Sequence, residues 1–293
     1  MNKSVIIVAG PTAVGKTAEA IRLAKSYGTE IISADSRQCY KELNIGVARP
    51  TPLELAEVKH HFIGNHSIHE NITAGSFARE AAIYIEEILK TRDTAVVCGG
   101  TGLYIRALVD GLDEIPPIPI EIRNEVIQLF ETKGIEALRK ALLEKDPAFE
   151  QQGEINNPNR MMRALEVALH TGIPIYQFQI NAECRGINSK YKIKYNIISL
   201  PRELLYQHIN ERVEKMMREG LEEEAKTVYP FKALTALQTV GYKELFDYFD
   251  GILTREEAVG KIKQHTRNYA KRQITWFKRY ADEDLISFPP LTS

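Results

Sequence analysis

Residues 10–17 read Gly10-Pro11-Thr12-Ala13-Val14-Gly15-Lys16-Thr17 and fit the pattern G-x-x-x-x-G-K-[ST] at every position. At average residue frequencies such a match arises by chance in only about one chain in a hundred of this length. The chemistry it suits is the holding of phosphate. The glycines let backbone N–H groups turn toward an anion. The start of the following helix adds a partial positive charge. Lys16 neutralises phosphate oxygens, and the Thr17 hydroxyl can ligate Mg²⁺. A glycine-rich turn with a surface lysine is the plain alternative. Asp35 is the second group of interest. It stands at the end of the next apolar run, where a carboxylate faces bound phosphates and could take a proton from a nucleophile. An aspartate there could equally do no more than cap a turn with Ser36.

The elements that position these groups follow from the spacing of apolar residues. Residues 4–9 (SVIIVA) predict a fully buried strand, and 16–27 a helix. Residues 29–34 predict a second strand, 76–90 a helix, and 94–98 (TAVVC) a third strand leading into Gly99-Gly100-Thr101-Gly102. That alternation implies a parallel sheet with its ligand at the carboxyl ends of the strands. The fold expected is therefore α/β, a P-loop NTPase-like parallel sheet flanked by helices, with an all-helical insertion domain. The proline-rich stretch 113–119 opens the insertion. Residues 120–171 look wholly helical apart from a break near 153–158. Residues 191–200 resume a strand pattern that could rejoin the sheet, and the rest is mostly helical. The division expected is 1–114 and 186–293 for the core domain and 115–185 for the insertion.

Composition narrows the function. With 293 residues, 44% of them hydrophobic and 26% charged, the chain can bury a sizeable core. The net charge of −1 gives no bulk attraction to nucleic acid, so any such site must be a local patch. Three cysteines (Cys39, Cys98 and Cys184) without a C-x-x-C pair argue for a reducing compartment and against a cysteine-rich zinc site. No apolar run is long enough for a membrane span or signal segment, so a cytoplasmic protein with no membrane partner is expected. A phosphate loop names a ligand group, not a reaction. ATP-binding enzymes of this type usually place an acid after a later strand, but TAVVC ends in Gly99 and Gly100.

Seven motifs carry a family resemblance. GPTAVGKT at 10–17, ISADSRQCY at 32–40, NIGVARP at 44–50, GGTGLY at 99–104, NRMMRALEV at 159–167, VGYKE at 240–244 and AKRQITWF at 270–277 resemble the tRNA dimethylallyltransferases, or tRNA isopentenyltransferases, of bacterial type. The resemblance implies transfer of a dimethylallyl group from dimethylallyl diphosphate to the exocyclic N6 amine of the adenosine 3′ to the anticodon in tRNA. Diphosphate leaves with Mg²⁺ as cofactor. It implies partners in the tRNA anticodon stem-loop and dimethylallyl diphosphate; a monomer is expected, although the sequence does not fix the oligomeric state. It makes Asp35 the general base, and Gly10, Pro11, Thr12, Ala13, Val14, Gly15, Lys16 and Thr17 the diphosphate cradle. Thr17 also serves as the Mg²⁺ ligand, close to the reacting atoms, and Arg212 reaches the diphosphate. Asp35, Ser36, Arg37, Gln38, Thr101, Arg123, Asn159, Arg160, Arg163, Gly241, Lys271, Arg272 and Gln273 are expected against the tRNA. The sequence departs from the family at His208, where many members have arginine and where Arg202 or a neighbour could compensate. It departs again at Val14, where serine is common.

From Lys261 to Arg279 the chain holds seven lysines and arginines and no acid, with Trp276 and Phe277 interleaved. Such a run suits phosphate contacts plus base stacking, although a solvated helix face is its ordinary explanation. His60 and His61 are adjacent and do not suggest a metal site. Cys39 and Cys98 are expected to be buried and inert, and the run Glu222-Glu223-Glu224 to be a solvated face. Two rivals remain from other classes, a small-molecule kinase and a non-catalytic nucleotide-binding module. A third shares the fold, an adenylate isopentenyltransferase acting on free nucleotides.

Overall fold

The structure, a computed structural model, describes residues 3–113, 115–181, 186–280 and 286–287, so Cys184 lies outside the described residues. Two compact units form, one of residues 1–111 with 186–293 and one of 112–185. The larger is built on a parallel sheet of β1 (Ser4–Ala9), β2 (Ile31–Ser33), β3 (His60–His61), β4 (Thr94–Gly99), β5 (Lys192–Ser199) and β6 (Ile286–Ser287), in the order β3-β2-β4-β1-β5-β6. β1 lies at the centre, buried at every position. A strand covered on both faces must be apolar on both, hence the unbroken run SVIIVA.

Alternate residues of β1 feed two cores. Val5, Ile7 and Ala9 pack with α3 (Ala74–Thr91) and α4 (Gly102–Val109) through Phe77, Ile85 and Ile105; α2 is the short helix Pro52–Glu57. Ile6 and Val8 face the other way, onto α1 (Lys16–Tyr27), through Ala20, Ile21 and Ala24. The smaller unit has its own core. Val126, Leu138 and Leu142 of α5 (Ile120–Lys145) pack on Phe149 of α6 (Phe149–Gln152) and on Met161 and Leu165 of α7 (Pro158–Thr171). The chain returns through β5 to α8 (Arg202–Arg218), α9 (Leu221–Val228), α10 (Tyr242–Phe249) and α11 (Arg255–Phe277). α8 joins the second core through Leu205 and Ile209. α11 contributes to both cores, Ile262 and Phe277 to one and Ala270 to the other.

Three features depart from the sequence expectation. β2 is three residues long rather than six, and β3 is a two-residue strand pairing His60 and His61 with Ile31 and Ile32. Within α5, Gly134 takes φ 75 and ψ −173, which breaks the helix at a residue without a Cβ. Among the described residues no helix is long and apolar enough to cross a membrane.

Candidate active site

The sheet register brings three loops to one edge. Ala9 pairs with Gly99 on β4 and with Ile197 on β5, and Ser33 pairs with Cys98, so the chain leaves β1, β2 and β4 at a common level. Gly10 follows β1 at φ 148, and a Cβ there would stand 2.3 Å from the Ile198 carbonyl oxygen, so only glycine lets the loop turn away from β5. Ala13 holds φ 63, a left-handed conformation that costs a non-glycine residue energy and is characteristic of functional loops. Gly15 caps α1 without a side-chain hydrogen bond, which leaves the first N–H groups of the helix open to an anion. Val14 is buried in the second core and offers the loop its backbone alone. Lys16 folds back over the loop, its Nζ donating to the Pro11 carbonyl at 2.7 Å. Burial pushes its ammonium down to about 8, and the positive charge of Arg212 pushes the same way, against Cys98 and Asp35.

Asp35 does both things its position allows. Its Oδ1 accepts from the N–H groups of Arg37 (2.9 Å) and Gln38 (3.3 Å), which is the turn cap. The same carboxylate lines a cavity of about 550 Å³, shared with Thr12, Ser36, Arg37, Arg212, Tyr269 and Arg272. Thr101 holds this turn to β4, since its Oγ1 accepts from the Ser36 N–H at 3.0 Å. The side chain of Gln38 is spent on the protein. It accepts from Ser33 Oγ at 3.1 Å and donates to the carbonyls of Val47 (3.3 Å) and Ala48 (3.0 Å). Arg212 is half-buried, and burial lowers its guanidinium from the usual range while Asp35 opposes the shift. His208, one turn earlier on α8, is not among the residues lining the cavity. Nor is Arg202, whose guanidinium lies over the Tyr206 ring at 5.2 Å.

The glycine loop after β4 and the basic helix α11 fit each other. Gln273 donates through Nε2 to the Gly100 carbonyl (2.9 Å) and accepts through Oε1 from the Thr12 N–H (2.8 Å). A Cβ on Gly100 would lie 2.2 Å from Gln273 Nε2, and one on Gly102 2.2 Å from the Trp276 indole. The residues three apart on α11 therefore pack into the two glycines two apart in the loop. The sequence reading sets Gln273 against RNA. The structure buries it and uses both ends of its amide to tie the phosphate loop to the glycine loop. Of the seven basic residues, Lys263 pairs with Glu214 and Arg267 donates to Asn210 Oδ1 at 2.7 Å. Lys261 and Arg272 line the cavity, as does Gly241 at the start of α10, while Lys271 is exposed.

In the smaller unit, Arg123 and Arg163 converge on the buried Glu166, at 3.7 and 3.2 Å. Arg160, on the same helix as Arg163, pairs with Glu154, and Asn159 is exposed. Two other expectations change. Cys98 is half-exposed rather than buried, and it stands beside Lys16 at the end of β4. Burial nevertheless pushes both the Cys98 and Cys39 thiols up to about 12, which keeps them protonated. The acidic run is a solvated face only at Glu223. Glu224 accepts from three successive backbone N–H groups, those of Asn44 (3.0 Å), Ile45 (2.8 Å) and Gly46 (2.9 Å), and Glu222 pairs with Lys226 and Arg255. No local signal marks that role, because the partners lie about 180 residues away. The adjacent histidines use their rings separately, His61 Nε2 on Glu30 (2.5 Å) and His60 Nδ1 on the Val58 carbonyl (2.8 Å).

The chain matches the family model described as IPP transferase over residues 38–280. It is 44% identical over 279 residues to the tRNA dimethylallyltransferase of Christiangramia forsetii, covering 95% of this chain and 91% of that one. It is 45% identical over 283 residues to the tRNA dimethylallyltransferase of Flavobacterium johnsoniae, covering 94% and 91%. Among solved structures, the full-length tRNA isopentenylpyrophosphate transferase of Bacillus halodurans superposes with a TM-score of 0.69 at 34% identity, covering 98% of this chain and 90% of that chain. A eukaryotic dimethylallyltransferase acting on tRNA superposes with a TM-score of 0.76 at 25% identity, covering 94% and 70%.

Proposed function

The chain belongs to the IPP transferase family, and on that premise we propose that it transfers a dimethylallyl group from dimethylallyl diphosphate to the N6 amine of the adenosine 3′ to the anticodon in tRNA. The observation that carries this reading is one cavity lined by Asp35, by Arg212 and by Thr12 of the phosphate loop. The amine nitrogen bonds to the allylic carbon as the carbon–oxygen bond to diphosphate breaks. Oδ1 of Asp35 is occupied by the turn, and among the described residues no donor reaches Oδ2. Oδ2 is therefore the atom that takes the amine proton. An adenine amine is a weak nucleophile, so a fixed acceptor at the moment of attack matters. The charge that accumulates on the departing diphosphate falls to Arg212, to the loop N–H groups at the start of α1, and to Lys16 once its Nζ exchanges the Pro11 carbonyl for phosphate oxygens.

The residues present fit Mg²⁺. The Thr17 hydroxyl stands in the first turn of α1 with no intramolecular partner among the described residues. That is the donor set of an ion held by one hydroxyl, water and substrate phosphate oxygens rather than by a protein cage. When bound, the ion supplies charge neutralisation on the diphosphate. The adenosine must leave its stack to reach Oδ2, and Tyr269 and Arg272 on the cavity wall offer a ring and a planar cation for it to rest on.

The assay that tests the proposal offers dimethylallyl diphosphate with an anticodon stem-loop RNA or with AMP. Prenylation of the RNA and not of AMP is expected. Preference for AMP, or phosphoryl transfer from ATP without prenylation, overturns the reading.

Two further results are expected of the same protein. The anion binds the protonated form of Lys16, so donor affinity is greatest where the free lysine already carries its proton. The Kd for dimethylallyl diphosphate should then be level below about pH 8 and weaken above it, by up to about tenfold per pH unit. Lys16→Arg keeps its charge and should lose the inflection. A wild-type profile level to pH 10 would contradict the burial of this lysine. For the RNA, Lys271→Ala with Arg272→Ala removes two cations from α11. The slope of log K against log salt should flatten by about 1.4 for a single-stranded loop, and an unchanged slope means that neither residue meets phosphate.

A further inference from the structure

Glu224 belongs to α9, some distance in sequence from every motif described above, and its carboxylate is fully employed. Oε2 accepts from the N–H groups of Asn44 and Ile45, and Oε1 from the N–H of Gly46 and from the Tyr242 hydroxyl at 2.6 Å. Successive N–H groups pointing to one spot form an anion-binding nest, here filled by the protein's own side chain. Tyr242 is fully buried and its hydroxyl end packs against Gly46, where a Cβ would come within 2.6 Å of it. Residues 44–46 are therefore held by both α9, through Glu224, and α10, through Tyr242.

The clamp leads to Asp35. The next two residues, Val47 and Ala48, give their carbonyls to Gln38 Nε2, and the backbone N–H of Gln38 is one of the two donors to Asp35 Oδ1. Gly46, Val47 and Ala48 line the same cavity as Asp35. We propose that Glu224 is a positioning residue for Asp35, acting through the 44–48 segment and Gln38 to hold Oδ2 where it meets the amine. The proposal rests on Asp35 being the proton acceptor. A carboxylate suits the task because it accepts at both oxygens, whereas glutamine would turn an N–H₂ group toward backbone donors.

The test is a double-mutant cycle read by single-turnover prenyl transfer to an anticodon stem-loop RNA, with melting temperatures recorded alongside. Glu224→Gln should slow transfer by about ten- to a hundredfold, the size of effect that small displacements of a reacting group produce, with the KM for dimethylallyl diphosphate unchanged. In an Asp35→Ala background the same change should cost nothing further, because the group it positions is gone. Tyr242→Phe removes one of the four hydrogen bonds and keeps the ring. It should slow transfer by about two- to fivefold with the same dependence on Asp35, and it decides the matter if Glu224→Gln does not fold. Equal losses in both backgrounds, or loss of active protein with an unaltered rate per active site, overturn the proposal. If Asp35→Ala itself leaves transfer intact, the assignment of the base and the role of Glu224 fall together. If Asp35→Ala is slow and the two changes are additive, only the role of Glu224 falls.

Discussion

Replacing Asp35 by alanine is expected to lower the rate of prenyl transfer by about two to four orders of magnitude, the usual worth of a positioned general base. Binding of the anticodon stem-loop should persist, because the cationic groups proposed to meet RNA, Lys271 and Arg272, lie on α11 and not on the Asp35 turn. Alanine alone is ambiguous here, since Oδ1 also accepts from Arg37 and Gln38 and its loss loosens the turn. Asparagine separates the two roles. Its amide oxygen keeps both backbone bonds, while its nitrogen cannot take a proton from the amine. If the carboxylate is the base, asparagine should be about as slow as alanine. If the aspartate serves only the turn, asparagine should restore most of the rate. Normal turnover with lost RNA binding in either variant would remove Asp35 from the chemistry.

What the sequence makes legible depends on how local the cause is. β1 and α1 fall where the apolar run and the glycine-rich pattern put them, because a central parallel strand and a phosphate loop are each fixed by their own residues. β3 is two residues long and carries no period, so nothing in Val58–Phe62 announces it. The motif residues are legible as a group, but not the use to which each is put. Gln273 reads as part of a basic helix meeting RNA, yet its amide is buried between Gly100 and Thr12. Thr101 reads as a contact at a loop tip, and its hydroxyl holds the Ser36 N–H. Glu224 reads as one of three solvated acids, and its partners are backbone groups of Asn44, Ile45 and Gly46. In all three cases the deciding contact joins segments more than sixty residues apart, and residue type gives only the capacity for it.

Arg212 should show the opposite signs for activity and stability. Burial disfavours its charge, and the neighbouring Lys16 ammonium is lowered by burial and by Arg212. Two desolvated cations that repel one another are a poor arrangement for an empty protein and a good one for a protein that closes on a polyanion. Asp35 offsets part of the cost. Arg212→Met keeps an unbranched apolar stem in the cavity wall and deletes the charge. The rate of prenyl transfer should fall by about a hundred- to a thousandfold, as when a preorganised group facing developing negative charge is removed. The melting temperature of the unliganded protein should hold or rise, and the stabilisation it gains from added diphosphate should shrink. Arg212→Lys should recover only part of the rate, because a compact ammonium lacks the planar set of donors that a guanidinium offers a phosphate. A fall in stability together with an intact response to diphosphate would mean that Arg212 braces α8 against Asp35 instead of meeting the leaving group.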